Sequence, residues 1–503
     1  MSAASDPDAR GVADDVPEQM RVRRAKRRRL LESGTSPYPL GVPRTHSLAE
    51  VRAAYDPAAL GPDHRTGAQV AVAGRVVHLR DTGRLVFVTL REGGAELQAM
   101  FSAKELGDGV LEELKTLVDL GDHLAVQGEV VTSRRGELSV LAAGWRMAAK
   151  ALRPLPNAYH RLSDEARTRM RYLDLIVRPR ARETVRARAA ALRSLRAALD
   201  GRGYLEVETP VLQLTNGGAA ARPFRTHLNA FDQDMLLRIA LELPLKRAVV
   251  GGIERVYEIG PIFRNEGVDS SHAAEFSMLE AYEAYGDYDS MASLVHDLVL
   301  AAAEAVGTTV VAARDGSTID LAEPWREATL YGLVSDAVGA EIAVDTPAEV
   351  LRALAARHQV ALLPGWHSGG IALELYEKLV EHTLIRPTFV RDFPESVKPL
   401  AKAHRRVPGL VEAFDLVVNG VELAAAYSEL NDPVIQRERL VAQSLLAAQG
   451  DPAAMDVDED FLRALEFGMP PAGGLGMGID RLVMLLTGTG IREAMLFPLL
   501  RPE

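Results

Sequence analysis

The sequence contains no cysteine. That excludes disulfides and thiolate metal sites, zinc among them, and fits a reducing compartment. No apolar run reaches the roughly 18–20 residues of a membrane span. The first residues do not resemble a signal peptide either, so a cytoplasmic chain with no membrane part is expected. Aromatic residues are scarce, at 5% of 503. Neither a GxxxxGK phosphate loop nor a GxGxxG dinucleotide fingerprint occurs. What is present is an ordinary globular composition, with charged residues at 25%, long enough for two or three domains. The net charge is −11, yet RVRRAKRRRLL near the N-terminus is strongly basic. A basic block on an acidic chain points to a polyanionic partner, most simply nucleic acid. A solvated helix face accounts for the same charges.

Residues 1–20, rich in Ala, Asp and Pro, read as a disordered tail. A basic helix and a Pro/Gly-containing connector follow over 21–65. Over 66–150 the pattern changes to short alternating runs, among them AQVAVAGRVVHLR, RLVFVTLREG and HLAVQGEVVTS. Five such runs with glycine turns predict a small OB-type barrel, a fold that often binds single-stranded nucleic acid. A barrel used only for packing is the other reading. Residues 151–503 mix helices and strands and predict an α+β domain around an antiparallel sheet. A helix is expected to end at Gly201 and Gly203, before a strand that stops at Pro210. Residues 285–410 read as mostly helical, with strands returning at 413–429 and 474–479.

Three stretches carry chemistry. In GPIFRNEGVDSSHAAEFSMLEAY, residues 260–282, strand alternation puts Arg264 and Glu266 on one face. Phe276, Glu280 and Tyr282 likewise share a face. An antiparallel hairpin would unite the two sets. A structural ion pair explains Arg264 with Glu266, but not the second carboxylate beside Tyr282. In FDLVVNGVELAAAYSEL, Asn419-Gly420 signals a type I′ turn, which pairs Val417 with Glu422 and sets Asp415 diagonally across from Glu422. Two such carboxylates suit Mg²⁺ with substrate phosphates, or a solvated acidic face. Glu429 has the opposite parity to Glu422, so it joins the same site only if the strand bulges around Ala424–Ala426. In GGLGMGIDRLVMLL, Gly474, Gly476 and Gly478 fall on one bare strand face that a ligand can approach. Asp480 and Arg481 then open an apolar helix.

These stretches resemble the class II lysyl-tRNA synthetases. GYLEVETPVL is similar to motif 1 of that class, FRNEG…EFSMLEAY to motif 2, and GLGMGIDRLVML to motif 3. RYLDLI, GGAAARPF, YSELND and LFPLLRP resemble lysyl-specific wording, closest to actinobacterial forms. The class I fingerprints are absent. The resemblance runs from about residue 20 to 503. It implies an OB-fold anticodon-binding domain ahead of a class II catalytic domain, and a homodimer. It also implies lysine activation with Mg²⁺ and ATP, and transfer of lysine to tRNA(Lys).

By the same resemblance, Arg264 bridges the lysine carboxylate and the α-phosphate, Glu266 accepts from the adenine amine, and Phe276 stacks on adenine. Arg481 holds the outer phosphates with help from His272, and Asp415 and Glu422 hold Mg²⁺. Gly218 and Glu242 meet the lysine α-amino group, while Glu280, Tyr282 and Glu429, with Tyr427 nearby, meet the side-chain ammonium. Phe87, Gln98 and Glu137 read the anticodon. Departures from the usual wording fall at Leu241, Pro244, Ser271, Ala273 and Ala425, where the family commonly carries an amide that helps hold the lysine carboxylate. They leave a second reading open, a degenerate paralogue that binds tRNA but activates lysine weakly or prefers another amino acid.

Overall fold

The structure, a computed structural model, describes residues 17–156, 162–267, 269, 272–363, 365–448 and 455–501. Most of the expected disordered tail lies outside these residues. The chain divides into two compact units. One ends at Arg167 and takes in Tyr172–Pro179; the other comprises Thr168–Arg171 and the chain from Arg180 onward.

In the first unit, helix α1 (Glu18–Glu32) begins inside the stretch expected to be disordered. Its basic residues are not all a solvated face. Arg23 is buried and donates to the carbonyls of Leu120 and Ala151 at 3.0 and 3.1 Å. Lys26 pairs with Asp119 at 2.7 Å. Five strands follow: β1 (Arg65–Asp81), β2 (Leu85–Glu92), β3 (Ala95–Ser102), β4 (His123–Thr132) and β5 (Leu138–Ala149). They close in the order β1-β2-β3-β5-β4, the five-stranded barrel that the alternating runs predict. Val86, Val88 and Leu90 on β2, with Leu97, Ala99 and Phe101 on β3, fill its core. The intervening residues face outward.

The second unit is built on an eight-stranded sheet. Its strands are β6 (Leu205–Glu206), β7 (Arg255–Phe263), β8 (Glu275–Ala284), β9 (Arg326–Thr329), β10 (Thr388–Pro394), β11 (Leu410–Val418), β12 (Val421–Ser428) and β13 (Ala472–Gly478). Their order is β9-β10-β11-β12-β13-β8-β7-β6. The sheet is antiparallel except at its two edges, where β9 runs parallel to β10 and β6 to β7. Helix α2 (Pro179–Asp200) leads into it and ends just before Gly201, as expected. The strand expected to run to Pro210 is only the two residues of β6. Strand β10 was hidden in the segment read as helical. It is a seven-residue, largely buried run containing Phe389, Val390 and Phe393, with a proline at its end.

Parity makes the sheet two-faced. Leu279 and Ala281, Phe414 and Leu416, Ala424 and Ala426, and Leu475 and Met477 all belong to one core. Helix α3 (Glu242–Val250) lies elsewhere, while α4 (Tyr288–Val306) sends Met291, Val295, Leu298 and Val299 into that core. The alternate residues of the same strands, Glu280, Tyr282, Asp415, Ala425, Tyr427, Gly474 and Gly476, line a cavity of about 550 Å³.

Candidate active site

Strands β7 and β8 pair antiparallel with Ile262 opposite Phe276 and Glu258 opposite Glu280. The amide of Arg264 donates to the carbonyl of Ala274 at 2.9 Å, carrying the pairing one step past the strand end. The hairpin thus unites the two sets of side chains. The Arg264 guanidinium carbon lies 5.3 Å from the Phe276 ring centroid, within cation–π range. Burial pulls the pKa of Arg264 down, opposed by the charges of Glu422, Glu266 and Glu280. Glu266 accepts from the amide of Arg222 at 3.3 Å. His272 contacts Asp269 at 2.9 Å. Ser271 lies outside the described residues.

One end of the cavity holds an excess of buried carboxylates. Glu280 accepts from the Leu241 amide at 2.8 Å and from the Tyr282 hydroxyl at 3.0 Å. The donor at Leu241 is backbone, so the change of side chain there does not remove it. Pro244 sits in the first turn of α3, where a missing N–H costs little. Burial, reinforced by Glu242, pushes Glu280 up to about 7. Burial also pushes Glu429 up, against Lys246. Lys246 is fully buried and pairs with Glu242 at 2.6 Å and Glu429 at 2.5 Å. Sequence reasoning missed it. The signal was the i,i+4 spacing of Glu242 and Lys246 on a helix; nothing local pointed to Glu429. Gly218 adopts φ +87°, and a Cβ there would stand 3.0 Å from that of Ala240 and 3.3 Å from that of Glu242. A side chain at 218 would crowd this end.

Strands β11 and β12 meet at Asn419 and Gly420, both with positive φ, as a type I′ turn requires. Val417 faces Glu422, but Leu416 faces Ala424, so Leu423 is a one-residue bulge. The parity change that brings Glu429 to the site therefore occurs before Ala424, not at Ala424–Ala426. Asp415 faces Ala425. It is buried and pairs with Lys398, a second cation that the sequence did not reveal, at 3.0 Å. Glu381 is pushed up to about 7 by burial and by Glu422, Glu377 and Asp415. Among the described residues, no three His, Asp or Glu side chains converge closely enough to hold a metal ion by themselves.

Strand β13 lies between β8 and β12, with Gly474 flanked by Tyr282 and Tyr427, and Gly476 by Glu280 and Ala425. A Cβ on Gly474 would collide with Glu429 and Tyr282. That glycine makes room for the protein's own side chains; a Cβ on Gly476 would stand 3.1 Å from the Met278 methyl, and one on Gly478 would meet Arg481 at 3.5 Å. Helix α5 (Ile479–Thr487) starts at the strand end. Asp480 is buried, accepts from the Ser277 amide at 2.7 Å and pairs with Arg188 at 2.5 Å, which ties α5 to β8. Arg481 donates to the carbonyl of Glu422 at 2.7 Å. The residues of this unit that the resemblance assigns to lysine, ATP or metal all line this cavity: Gly218, Glu242, Arg264, Glu266, His272, Phe276, Glu280, Tyr282, Asp415, Glu422, Tyr427, Glu429 and Arg481.

On the barrel, Phe87 on β2 lies 4.6 Å from the guanidinium carbon of Arg80. Gln98 on β3 donates to Ser139 at 2.8 Å, and Glu137, just before β5, pairs with Arg52 at 3.2 Å. Thr89 faces Gln98, which faces Ser139, so adjoining strands present these groups together.

Residues 163–501 match the family of class II tRNA synthetases (D, K and N), and residues 70–148 match the OB-fold nucleic acid binding domain. The chain is 55% identical over 493 residues to a lysine–tRNA ligase of Kineococcus radiotolerans, covering 97% of this chain and 98% of that one. It is 52% identical to lysine–tRNA ligase 1 of Mycobacterium tuberculosis, covering 98% and 99%. A lysylphosphatidylglycerol biosynthesis bifunctional protein of Mycolicibacterium vanbaalenii is 49% identical over 99% of this chain and 46% of its own length.

Proposed function

The chain belongs to the class II tRNA synthetases of the D, K and N group, and on that premise we propose that it is a lysine–tRNA ligase. It joins L-lysine to ATP as lysyl-adenylate and passes lysine to the 3′ terminal adenosine of tRNA(Lys). The observation that carries this reading is a count of buried charge. Glu242, Glu280 and Glu429 bring three carboxylates to one end of the cavity, and Lys246 supplies one ammonium there. A ligand with two ammonium groups completes the balance, and buried charge is tolerated only when paired. Lysine has two. Its α-amino group goes to Glu242 and Gly218, and its side-chain ammonium to Glu280, Tyr282 and Glu429, beside Tyr427. A neutral side chain would leave carboxylates uncompensated.

This orientation sends the lysine carboxylate toward Arg264. The guanidinium fork of Arg264 holds that carboxylate against the α-phosphate of ATP. Phe276, which lies against Arg264, stacks on adenine, and Glu266 accepts from the adenine amine. Arg481 and His272 take the outer phosphates. The lysine carboxylate oxygen then attacks the α-phosphorus and pyrophosphate leaves. In the second step the terminal ribose hydroxyl attacks the lysyl carbonyl and AMP leaves. No side-chain nucleophile is needed, and the work of the protein is positioning and charge neutralisation.

The donor set fits a hard divalent cation. Its oxygens are carboxylates only, and Glu381 is pushed up by its acidic neighbours Glu422, Glu377 and Asp415 as well as by burial. By their carboxylates alone, Glu422 and Asp415 would hold Mg²⁺ together with phosphate oxygens, though Asp415 already carries the Lys398 ammonium; the ion would supply charge neutralisation between the phosphates. The barrel, with Phe87, Gln98 and Glu137, reads the anticodon, where unpaired bases offer stacking faces and edges. The basic groups of α1 left exposed, such as Arg21, Arg28 and Arg29, add phosphate contacts. Leu205 on the edge strand β6, with Leu212 and Leu214 shortly after it in the chain, is exposed and supports a homodimer through motif 1, which sedimentation at low protein concentration tests. We place the enzyme in the cytoplasm.

Pyrophosphate exchange with each of the twenty amino acids tests the function. Exchange with lysine alone is expected. Exchange with another amino acid, or none, would favour the degenerate paralogue, for which no similarity speaks.

A further inference from the structure

Lys398 follows the turn after β10, and nothing in the reaction above uses it. Its ammonium nitrogen stands 3.0 Å and 3.2 Å from the two oxygens of Asp415. It also lies 4.5 Å from the ring centroid of Phe393 and 5.5 Å from that of Tyr427. Two rings and a carboxylate contact the ammonium, so Asp415 alone does not set its place. Lys398, Asp415, Tyr427 and Glu422 all line the same cavity. Glu422 differs from Asp415. Its side chain is 45% exposed, and its nearest cation is Arg481 at 4.0 Å.

An ammonium that contacts both oxygens of one carboxylate takes one lone pair on each and sets a positive charge where a metal bridging the two oxygens would sit. Two cations on one buried carboxylate repel each other strongly at low dielectric. We propose that Lys398 is a tethered cation that withholds Asp415 from the metal, so that the ammonium stands in for one divalent ion and Glu422 is the carboxylate left to hold Mg²⁺. This rests on the reading of the cavity as a Mg·ATP site and corrects the expectation that Asp415 and Glu422 share the ion equally. Lys398 is then a positioning residue. It fixes where the metal sits and how many ions the site takes.

The test is a Mn²⁺ titration of the nucleotide-free full chain, read by the loss of free-ion electron paramagnetic resonance signal and by the Mn²⁺-dependent rise in Tm. Lys398→Met should bind Mn²⁺ at least tenfold more tightly than wild type, and Lys398→Met with Asp415→Asn should lose the gain. Lys398→Arg should behave as wild type. Lys398→Gln, which keeps a hydrogen bond to Asp415 and so burdens folding less, should gain at least threefold. The proposal is overturned if neither Lys398→Met nor Lys398→Gln gains affinity, or if the gain survives Asp415→Asn. No lysine or ATP turnover enters this measurement, so its failure is distinct from a failure of pyrophosphate exchange.

Discussion

On the barrel, Phe87 is half-buried beneath Arg80, and the Glu137 side chain is 53% exposed in its pair with Arg52. In the cavity, Glu280 and Glu429 are 4% and 1% exposed; Glu429 shares one buried ammonium with Glu242, and Glu280 accepts from the Leu241 amide and the Tyr282 hydroxyl. The same residue types meet opposite surroundings. Exposed charges are screened by water and salt and contribute little to specificity. On the proposed reading, recognition on the barrel therefore rests on stacking and base-edge hydrogen bonds. In the cavity, on the same reading, the missing positive charge is itself the specificity, because water cannot supply it. The contrast teaches that a tRNA-reading surface tolerates partial loss, whereas the amino-acid site responds to single charges.

The largest effect is expected at Arg264, where the proposed mechanism brings the two anionic reactants together. Arg264→Ala should lower pyrophosphate exchange about a hundred- to a thousandfold and leave tRNA binding by filter assay intact. Near-normal exchange would remove Arg264 from the chemistry. Next comes Glu280→Gln, which keeps the shape and deletes a charge. The lysine KM should rise about ten- to a hundredfold, the range for losing a charged hydrogen bond, with the ATP KM little changed. Equal effects on both substrates would make Glu280 structural and break the contrast.

Phe87→Ala sharpens the comparison from the other side. A stacked base is worth about 1–3 kcal/mol, so charging of tRNA should fall about five- to a hundredfold, while lysyl-adenylate formation is unchanged. Loss of both would mean that the barrel supports the fold of the catalytic unit. The smallest effect is expected from Ala425→Asn. Ala425 faces Asp415 across the strands and lines the cavity, and an added amide should lower the lysine KM about three- to tenfold. No change, or a higher KM, would mean that this part of the site is already satisfied by other groups.

Much of this was legible in the residues. The barrel followed from five alternating runs, the β11–β12 turn from Asn419-Gly420, and the β7–β8 face from parity. What was not legible depends on contacts distant in sequence. Lys246 is an ordinary i,i+4 partner of Glu242 until the sheet delivers Glu429 to its other side. Lys398 has no local signature at all, since its partner lies on a neighbouring strand. The bulge at Leu423 was required by parity, but its place was set by the register with β11. Strand β10 was hidden because a short buried run does not alternate. The three glycines of β13 looked equivalent in sequence, and only the side chains of Tyr282 and Glu429 separate Gly474 from the other two.

The central claim is that ionised, uncompensated carboxylates select lysine. Glu280 ionises at about 7 in the empty site against 4.5 in the unfolded chain. Over that interval the folded state binds more protons, so the empty chain should lose stability as pH rises from about 4.5 to 7, and lysine should restore it. The most direct measurement is lysine affinity by calorimetry from pH 6 to 8, without nucleotide. Lysine binds the ionised form, so affinity should rise at least about tenfold over this range for a group titrating near 7, and the rise should be smaller in Glu280→Gln, where Glu429, also pushed up by burial, still titrates. A flat profile in the wild type, or the same slope in Glu280→Gln, would contradict the account.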